Sequence, residues 1–373
     1  MGVKVLVTGG AGFIGSHLVD ALVAAGHAVR VLDSLDPQVH GPGAARPAYL
    51  HPAAELHVGD VRDRAAVRRA LGGVEAVFHQ AAAVGVGQSM YEIERYVSVN
   101  SLGAAVLLEA IVERRAALRR VVVASSMSLY GEGAYLDADG ALVYPKLRPA
   151  AQLAAKRFEL EDARGRPLAP VPTPETKPLQ PTSVYAVTKR DHEELFLSVG
   201  EAYGIPTVAL RYFNTYGTRQ SLSNPYTGVI AIFSSRLLNG NAPVVYEDGG
   251  QTRDFVHVSD VVRANLLAME RETAVGGVYN VGTGRATSVL EIAQALAGEI
   301  GTGVAPRVED RFRAGDIRHC IADPRAAARD LGFEARTELT AGMRELIAWL
   351  RTQSAVDRVD EARKELEARG LTR

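Results

Sequence analysis

The sequence predicts an α/β fold: a doubly wound parallel sheet carrying a smaller C-terminal α/β lobe. Three observations predict it. Short β-branched runs alternate with helix-period runs through about residue 125. The first such run ends in a cluster of glycines that opens directly into a helix-period run. After a Pro-, Ala- and Arg-rich break at 132–181 the alternation resumes. A chain of 373 residues has room for one large domain with a lobe, or for two domains.

Residues 3–7 are apolar apart from Lys4, and three of them are β-branched valines, which predicts a buried strand. Phe13, Ile14, His17, Leu18, Ala21 and Leu22 then recur at helical spacing. Between them Gly10, Gly12 and Gly15 fit G-x-G-x-x-G, and Gly9, Gly12 and Gly15 fit G-x-x-G-x-x-G. Glycine allows positive φ in the turn and close approach of backbone to a pyrophosphate. The helix aims its free N–H groups at the same phosphates. A second strand over 28–32 ends in Asp33. A carboxylate about 20 residues beyond the glycines accepts the ribose hydroxyls of NAD and repels the extra phosphate of NADP. This order predicts a Rossmann-type site for NAD.

A loop over 37–52 follows, then a strand at 55–58, a helix at 64–71, a strand at 76–79 and a small-residue turn at 80–87. A long helix is expected over 89–115 and a strand over 120–124, ending in Ser125-Ser126. In the break at 132–181 only 150–163 looks helical. So long a loop reads as an insertion beside the active site, a lid. A helix over 183–203 and a strand over 207–211 restore the pattern. Helices near 228–239, 259–270, 287–300 and 340–352 belong to the C-terminal lobe. The expected division is 1–205 for the dinucleotide domain, with its insertion, and 206–373 for a mainly substrate-binding lobe interleaved with it. In the tail, 354–369, Val356, Val359, Ala362 and Leu366 stand among charges. That spacing predicts an amphipathic surface helix packed on its own chain.

Composition excludes some classes. The formal net charge is −1, so nothing favours nucleic acid or an anionic membrane. Cys320 is the single cysteine, which rules out an internal disulfide or a cysteine-based metal cage. No metal is expected, and a reducing, cytoplasmic setting is. Glycines interrupt the N-terminal apolar run, unlike a signal peptide. No apolar run is expected to approach the ~20 residues of a membrane span.

Tyr185 and Lys189 are four residues apart on a predicted helix, so phenol and ammonium share a face. A phenolate at neutral pH costs about 4 kcal/mol from its reference pKa of ~10. A fixed cation lowers that cost and makes the phenol a base for an alcohol hydroxyl. Strands of this topology end at the cofactor crevice. Ser126, at such an end, is placed to bond the reacting oxygen and relay its proton to Tyr185.

With these residues assembled, the chain resembles the extended short-chain dehydrogenase/reductase family, in particular its NAD-dependent nucleotide-sugar epimerases and dehydratases, UDP-glucose 4-epimerase-like. The resemblance is carried by Thr8 to Gly15, Gly59-Asp60-Val61, Ala81-Ala82, Asn100, Ser125-Ser126, Tyr130-Gly131, Tyr185 to Lys189, Arg211-Tyr212-Phe213-Asn214, Arg253 to Asp260, and Arg313-Ala314-Gly315-Asp316. It covers nearly the whole chain except the insertion. It implies that Phe13, Ile14, Ser34, Gln80, Ala81, Ala82 and Asn100 join the glycines around NAD, that Asp60 and Val61 contact the adenine, and that Lys189 bonds the nicotinamide ribose. It implies that Asn214, Arg253 and Arg313 hold a sugar-nucleotide diphosphate, with Asp316, Val84 and Tyr246 in the same pocket. Guanidinium matches phosphate bidentately. It also implies a homodimer through the helices near 89–115 and 183–203.

Departures narrow the reaction. The related 4,6-dehydratases carry Asp and Glu directly after the catalytic hydroxyl residue; this chain has Met127 and Ser128. A thioether exchanges no proton and a serine hydroxyl is a poor general acid. Dehydration and the related decarboxylation are therefore disfavoured. The expected activity is inversion at C4 of a UDP- or dTDP-hexose through a transient 4-keto sugar, with tightly held NAD. UDP-galactose epimerases usually carry Lys where this chain has Val84. The stretch from Ser125 through Tyr135, the insertion and Gly217 to Ser221 are similar to the dTDP-L-rhamnose 4-epimerase branch, although its relatives often carry cysteines in the insertion and this chain has none there. A 4-ketoreductase consuming external NADH or NADPH is the alternative enzyme, and an NAD-sensing scaffold the alternative without catalysis.

Overall fold

In the computed structural model, residues 2–43, 45–313 and 315–372 are described. The first part of the chain alternates as its apolar pattern requires: β1 (Lys4–Thr8), α1 (Phe13–Ala24), β2 (Ala28–Asp33), a short α2 (Pro37–His40), β3 (Glu55–Val58), α3 (Arg64–Ala70), β4 (Ala76–His79) and α4 (Val86–Ser89). Next come α5 (Ile93–Tyr96), a π turn over Val97–Leu102, α6 (Gly103–Glu113) and β5 (Arg120–Ser126). The insertion holds β6 (Ala134–Leu136), β7 (Leu142–Val143), α7 (Ala150–Ala154) and β8 (Ala169–Val171). Then follow α8 (Val184–Tyr203), β9 (Thr207–Tyr212), β10 (Asn214–Tyr216), α9 (Val229–Leu238), β11 (Val244–Tyr246), β12 (Thr252–Arg253), β13 (Phe255–His257), α10 (Val258–Glu270) and β14 (Val278–Val281). The chain closes with β15 (Thr287–Ser288), α11 (Val289–Ile300), β16 (Arg307–Glu309), β17 (His319–Cys320), α12 (Arg325–Leu331), α13 (Leu339–Leu350) and α14 (Val359–Ala368).

Seven parallel strands form the central sheet in the order β14-β9-β5-β4-β1-β2-β3. Both faces are covered, so its strands are apolar at consecutive positions. Val5 and Val7 pack into one core with Leu18, Leu22 and Phe78, while Leu6 packs into the opposite core with Val77, Leu107, Ile111 and Phe196. A third core joins α9, α11 and α13 through Phe233, Leu296, Leu346 and Leu350. Strand order reverses between β1 and β4, and there the crevice opens. β9 and β14 lie beyond residue 205 yet belong to the central sheet, so the lobe is threaded through it.

Two expectations are corrected here. The long helix carries a widened π turn, and Ile93–Glu113 is 21 residues long with an apolar stretch of mean hydropathy 1.4, which matches a membrane span by length and composition. Glu94 and Arg95 stand at its start. Half of it is buried in the fold, where it packs on α3 and α8 as a core helix does. In the insertion, helix stops at Ala154 rather than 163. Lys156 turns left-handed at φ 56°, and the Gln152 amide donates to the carbonyls of Arg157 and Glu159.

Candidate active site

The crevice leads into a cavity of about 850 Å³. Its first wall is the β1–α1 turn. Gly9 sits at φ 69°, and a Cβ there would meet the Ala81 backbone at 2.7 Å; a Cβ on Gly15 would meet the Gly9 carbonyl oxygen at 2.1 Å. The turn therefore folds tightly on itself, and α1 begins at Gly12 with no side-chain cap and no acidic residue in its first turn. Its N–H groups stay free for an anion. Asp33, nearly buried, accepts from the Ala11 N–H (2.9 Å) and the Leu35 N–H (2.9 Å), which fixes its carboxylate at the cavity edge. An uncapped helix start beside a fixed carboxylate suits a pyrophosphate and a ribose, so these residues fit NAD. Asp60 is gripped by Arg62 (2.6 Å), which holds its carboxyl below the usual carboxylate range.

The reacting centre lies at the ends of β5 and α8. Ser183 caps α8 by accepting from the Ala186 N–H (3.1 Å), so Tyr185 falls in the first turn, where the helix dipole favours an anion. Burial pushes the Tyr185 phenol up to about 12, and a hydrogen bond with Ser126 acts against that rise. Burial also pulls Lys189 down to about 7. Burial makes either charge costly on its own. Lys189 Nζ donates to the Ala124 carbonyl (2.8 Å). The two serines separate cleanly. Ser125 donates to buried Glu193 (2.7 Å), which also pairs with Arg211. Ser126 accepts from the Ser128 N–H (3.1 Å) and hydroxyl (2.9 Å), lines the cavity and keeps its own proton to give.

At the far end Arg313 stacks on Tyr246, guanidinium to ring 4.4 Å, with its Nε unpartnered. Arg253 spends three N–H bonds on the carbonyls of Thr252, Arg318 and Ile317. The buried Asn214 Oδ1 has no hydrogen-bond partner among the described residues. Val84 and Asp316 also line the cavity.

Of the residues singled out from sequence, Asn100 does not line the cavity. Its side chain is wholly buried and bonds Ala83 on both backbone groups (2.8 and 3.1 Å) and Thr188 (2.9 Å). Gln80 lines the cavity, but its amide donates to Tyr212 and Asn265. Ala314, within the Arg313–Asp316 motif, lies outside the described residues.

The insertion is no lid: among the described residues, none of 132–181 lines the cavity. It is fastened down instead. Arg148 clasps Glu247 bidentately (2.9 and 2.9 Å), Glu247 also pairs with Arg318, and Glu132 accepts from the Arg318 N–H. The covering element is the tail. Val359, Ala362, Arg363 and Leu366 of α14 form part of the cavity wall. Arg236 ion-pairs with Asp357 and Asp360 (3.4 and 3.2 Å), and Arg369 lies over the Tyr91 ring at 4.4 Å. The apolar spacing of the tail was visible in the sequence; the surface it meets was not.

A Rossmann-type dinucleotide crevice lined by a tyrosine and a lysine one helical turn apart is the arrangement of an enzyme that oxidises and reduces an alcohol. The model of the NAD dependent epimerase/dehydratase family matches residues 5–162 and 164–282, and the chain belongs to that family. The dTDP-L-rhamnose 4-epimerase of Burkholderia thailandensis is 40% identical over 351 residues, which cover 94% of this chain and 95% of the relative. The UDP-glucose 4-epimerase of Thermotoga maritima, solved with UDP-glucose, is 32% identical with a TM-score of 0.76 over 94% of this chain and 99% of that one. The Thermus thermophilus UDP-glucose 4-epimerase, solved with NAD, is 31% identical with a TM-score of 0.72 at the same coverage.

Proposed function

We propose that the protein is an NAD-dependent nucleotide-sugar 4-epimerase that inverts C4 of a UDP- or dTDP-linked hexose. The observation that carries the reading is one cavity holding the dinucleotide turn at one end, Tyr185, Lys189 and Ser126 in the middle, and Asn214, Arg253 and Arg313 at the other. The relative at 40% identity favours a dTDP-linked 6-deoxyhexose.

Tyr185 takes the C4 hydroxyl proton, directly or through Ser126, and later returns it. Lys189 holds the phenolate while it exists. NAD, when bound, supplies the hydride acceptor and donor for C4. Arg313, Arg253 and Asn214 anchor the diphosphate. Ala82, Ala83 and Val84 give the middle of the cavity a small-residue wall, against which the sugar turns to present its other face. Met127 and Ser128 offer no group to move protons at C5 or C6, so chemistry stays at C4.

The proposed assembly is a homodimer through the helical stretch from α5 to α6 and through α8; Ile93 of α5, Val97 and Leu102 of the π turn, and Val187 and Leu195 of α8 are exposed. The proposed setting is the cytoplasm, which suits a lone buried thiol, Cys320. The test of function is incubation with a panel of UDP- and dTDP-sugars without added cofactor, followed by NMR. C4 inversion supports the reading. A steady demand for external NADH with a 4-keto sugar contradicts it and favours the ketoreductase.

A further inference from the structure

Behind the lysine of the pair lies a buried polar cluster that the mechanism above does not use. His192 stands three residues after Lys189 on α8 and is wholly buried. Its Nε2 is 2.8 Å from the Asn100 carbonyl oxygen. A carbonyl only accepts, so Nε2 carries the hydrogen. The neutral ring has one lone pair left, on Nδ1, and Nδ1 is 3.5 Å from Lys189 Nζ. Burial, and then the charge on Lys189, keep this imidazole well below its ordinary pKa, so it stays neutral.

We infer that His192 is a positioning residue: the Asn100 carbonyl fixes its tautomer, and its Nδ1 lone pair joins the Ala124 carbonyl in orienting and supporting the Lys189 ammonium. Two of the three N–H bonds of Nζ are then directed into the protein, and the third is left for the cavity that Lys189 lines. The inference rests on Tyr185 and Lys189 being the working pair. It gives Asn100 a role that contact with the cofactor does not. Asn100 lies in the π turn; its amide grips Ala83 and Thr188 while its carbonyl sets the imidazole.

The titratable groups around Lys189 are Tyr185 and His192 on its own helix and His79 on β4. The His79 ring lies 5.0 Å from that of His192, and its Nδ1 is 2.7 Å from Thr8 Oγ1. Burial, with Lys189 adding to it, holds His79 at about 3. Glu193 on α8 is turned away, to Ser125 and Arg211. Among the described residues no carboxylate bonds Nζ. A carbonyl and an imidazole lone pair are what support its charge, so losing one of them matters.

The test reads the lysine itself. Protein labelled with 13Cε-lysine is titrated by NMR, with the Lys189 signal assigned through Lys189→Arg. The wild type is expected to titrate near neutrality. His192→Leu is expected to shift Lys189 down by about one pH unit, the worth of one hydrogen bond to a charged group. His192→Gln, whose amide both donates and accepts, is expected to restore most of that shift. The alkaline limb of the kcat profile moves to lower pH by the same amount, with KM little changed. In the wild type, 15N shifts of the imidazole are expected to report the Nε2–H tautomer; this measurement decides the matter should His192→Leu fail to fold. An Nδ1–H tautomer overturns the inference, as does an unmoved Lys189 titration in a folded His192→Leu protein. Neither NMR readout involves substrate, so failure of the epimerase reading leaves both intact.

Discussion

The two ends of the cavity are built differently. The dinucleotide end comes from one contiguous piece, β1–α1–β2, and its backbone is locked: Gly9 and Gly15 have no room for a Cβ, and Asp33 is tied to Ala11 and Leu35. The substrate end is gathered from Asn214, Tyr246, Arg253, Arg313 and the tail helix, segments far apart in the chain. Among the described residues, several of its polar atoms have no hydrogen-bond partner: the acceptors Asn214 Oδ1 and Gln251 Oε1 and the donor Arg313 Nε. The first end is a rigid backbone cradle suited to a dinucleotide. The second leaves both donors and acceptors open, as suits a ligand that must enter, turn and leave.

Variants should separate the two ends. The largest effect belongs to the centre: Tyr185→Phe is expected to lower kcat about 10³-fold, the scale of general acid–base catalysis. NAD should still co-purify, because the dinucleotide end is untouched; absorbance of the released nucleotide checks this. Next is Arg313→Gln, which removes a charge-assisted partner for a diphosphate. A rise in KM of about 30-fold, with kcat nearly held, is expected from steady-state kinetics. A chain ending at Gln353 loses the α14 wall. Its KM for the sugar nucleotide should rise about 10-fold as Ala362 and Leu366 no longer cover apolar surface, with retained NAD unchanged. The smallest catalytic effect is expected in the insertion. Arg148→Met should leave kcat and KM near wild type and lower stability by about 3 kcal/mol in urea unfolding. That is the low end for a broken buried pair, because Arg318 still holds Glu247. A large KM change there would make the insertion part of the site after all.

The same contrast governs how much the sequence revealed. The β1–α1 turn, Asp33 and the Tyr185–Lys189 spacing are local patterns whose geometry follows from one turn or one helix, so they were legible. The residues proposed to anchor the diphosphate were reached only through resemblance, since an isolated arginine such as Arg253 or Arg313 looks like any solvated charge. One element was misread and another read only in part, for one reason. The insertion lacked periodicity and looked like a lid, yet buried ion pairs with Glu247 and Arg318 fasten it down. The tail is the amphipathic helix packed on its own chain that its spacing predicts, but that it packs on the cavity was not legible. In both cases the deciding partner lies about 100 or more residues away, and no local pattern reports it. Asn100 was legible as a marked position but not in its task, because its carbonyl, common to every residue, makes the bond that sets His192.

The measurement that tests the central claim most directly follows one hydrogen. A nucleotide sugar deuterated at C4 is incubated with the protein as purified, in ordinary water and without added nicotinamide cofactor, and the product is read by NMR. The account predicts inverted C4 with the deuterium still attached, since the label never meets solvent. Inversion with loss of the label to water, or no turnover until external cofactor is consumed mole for mole, would contradict it.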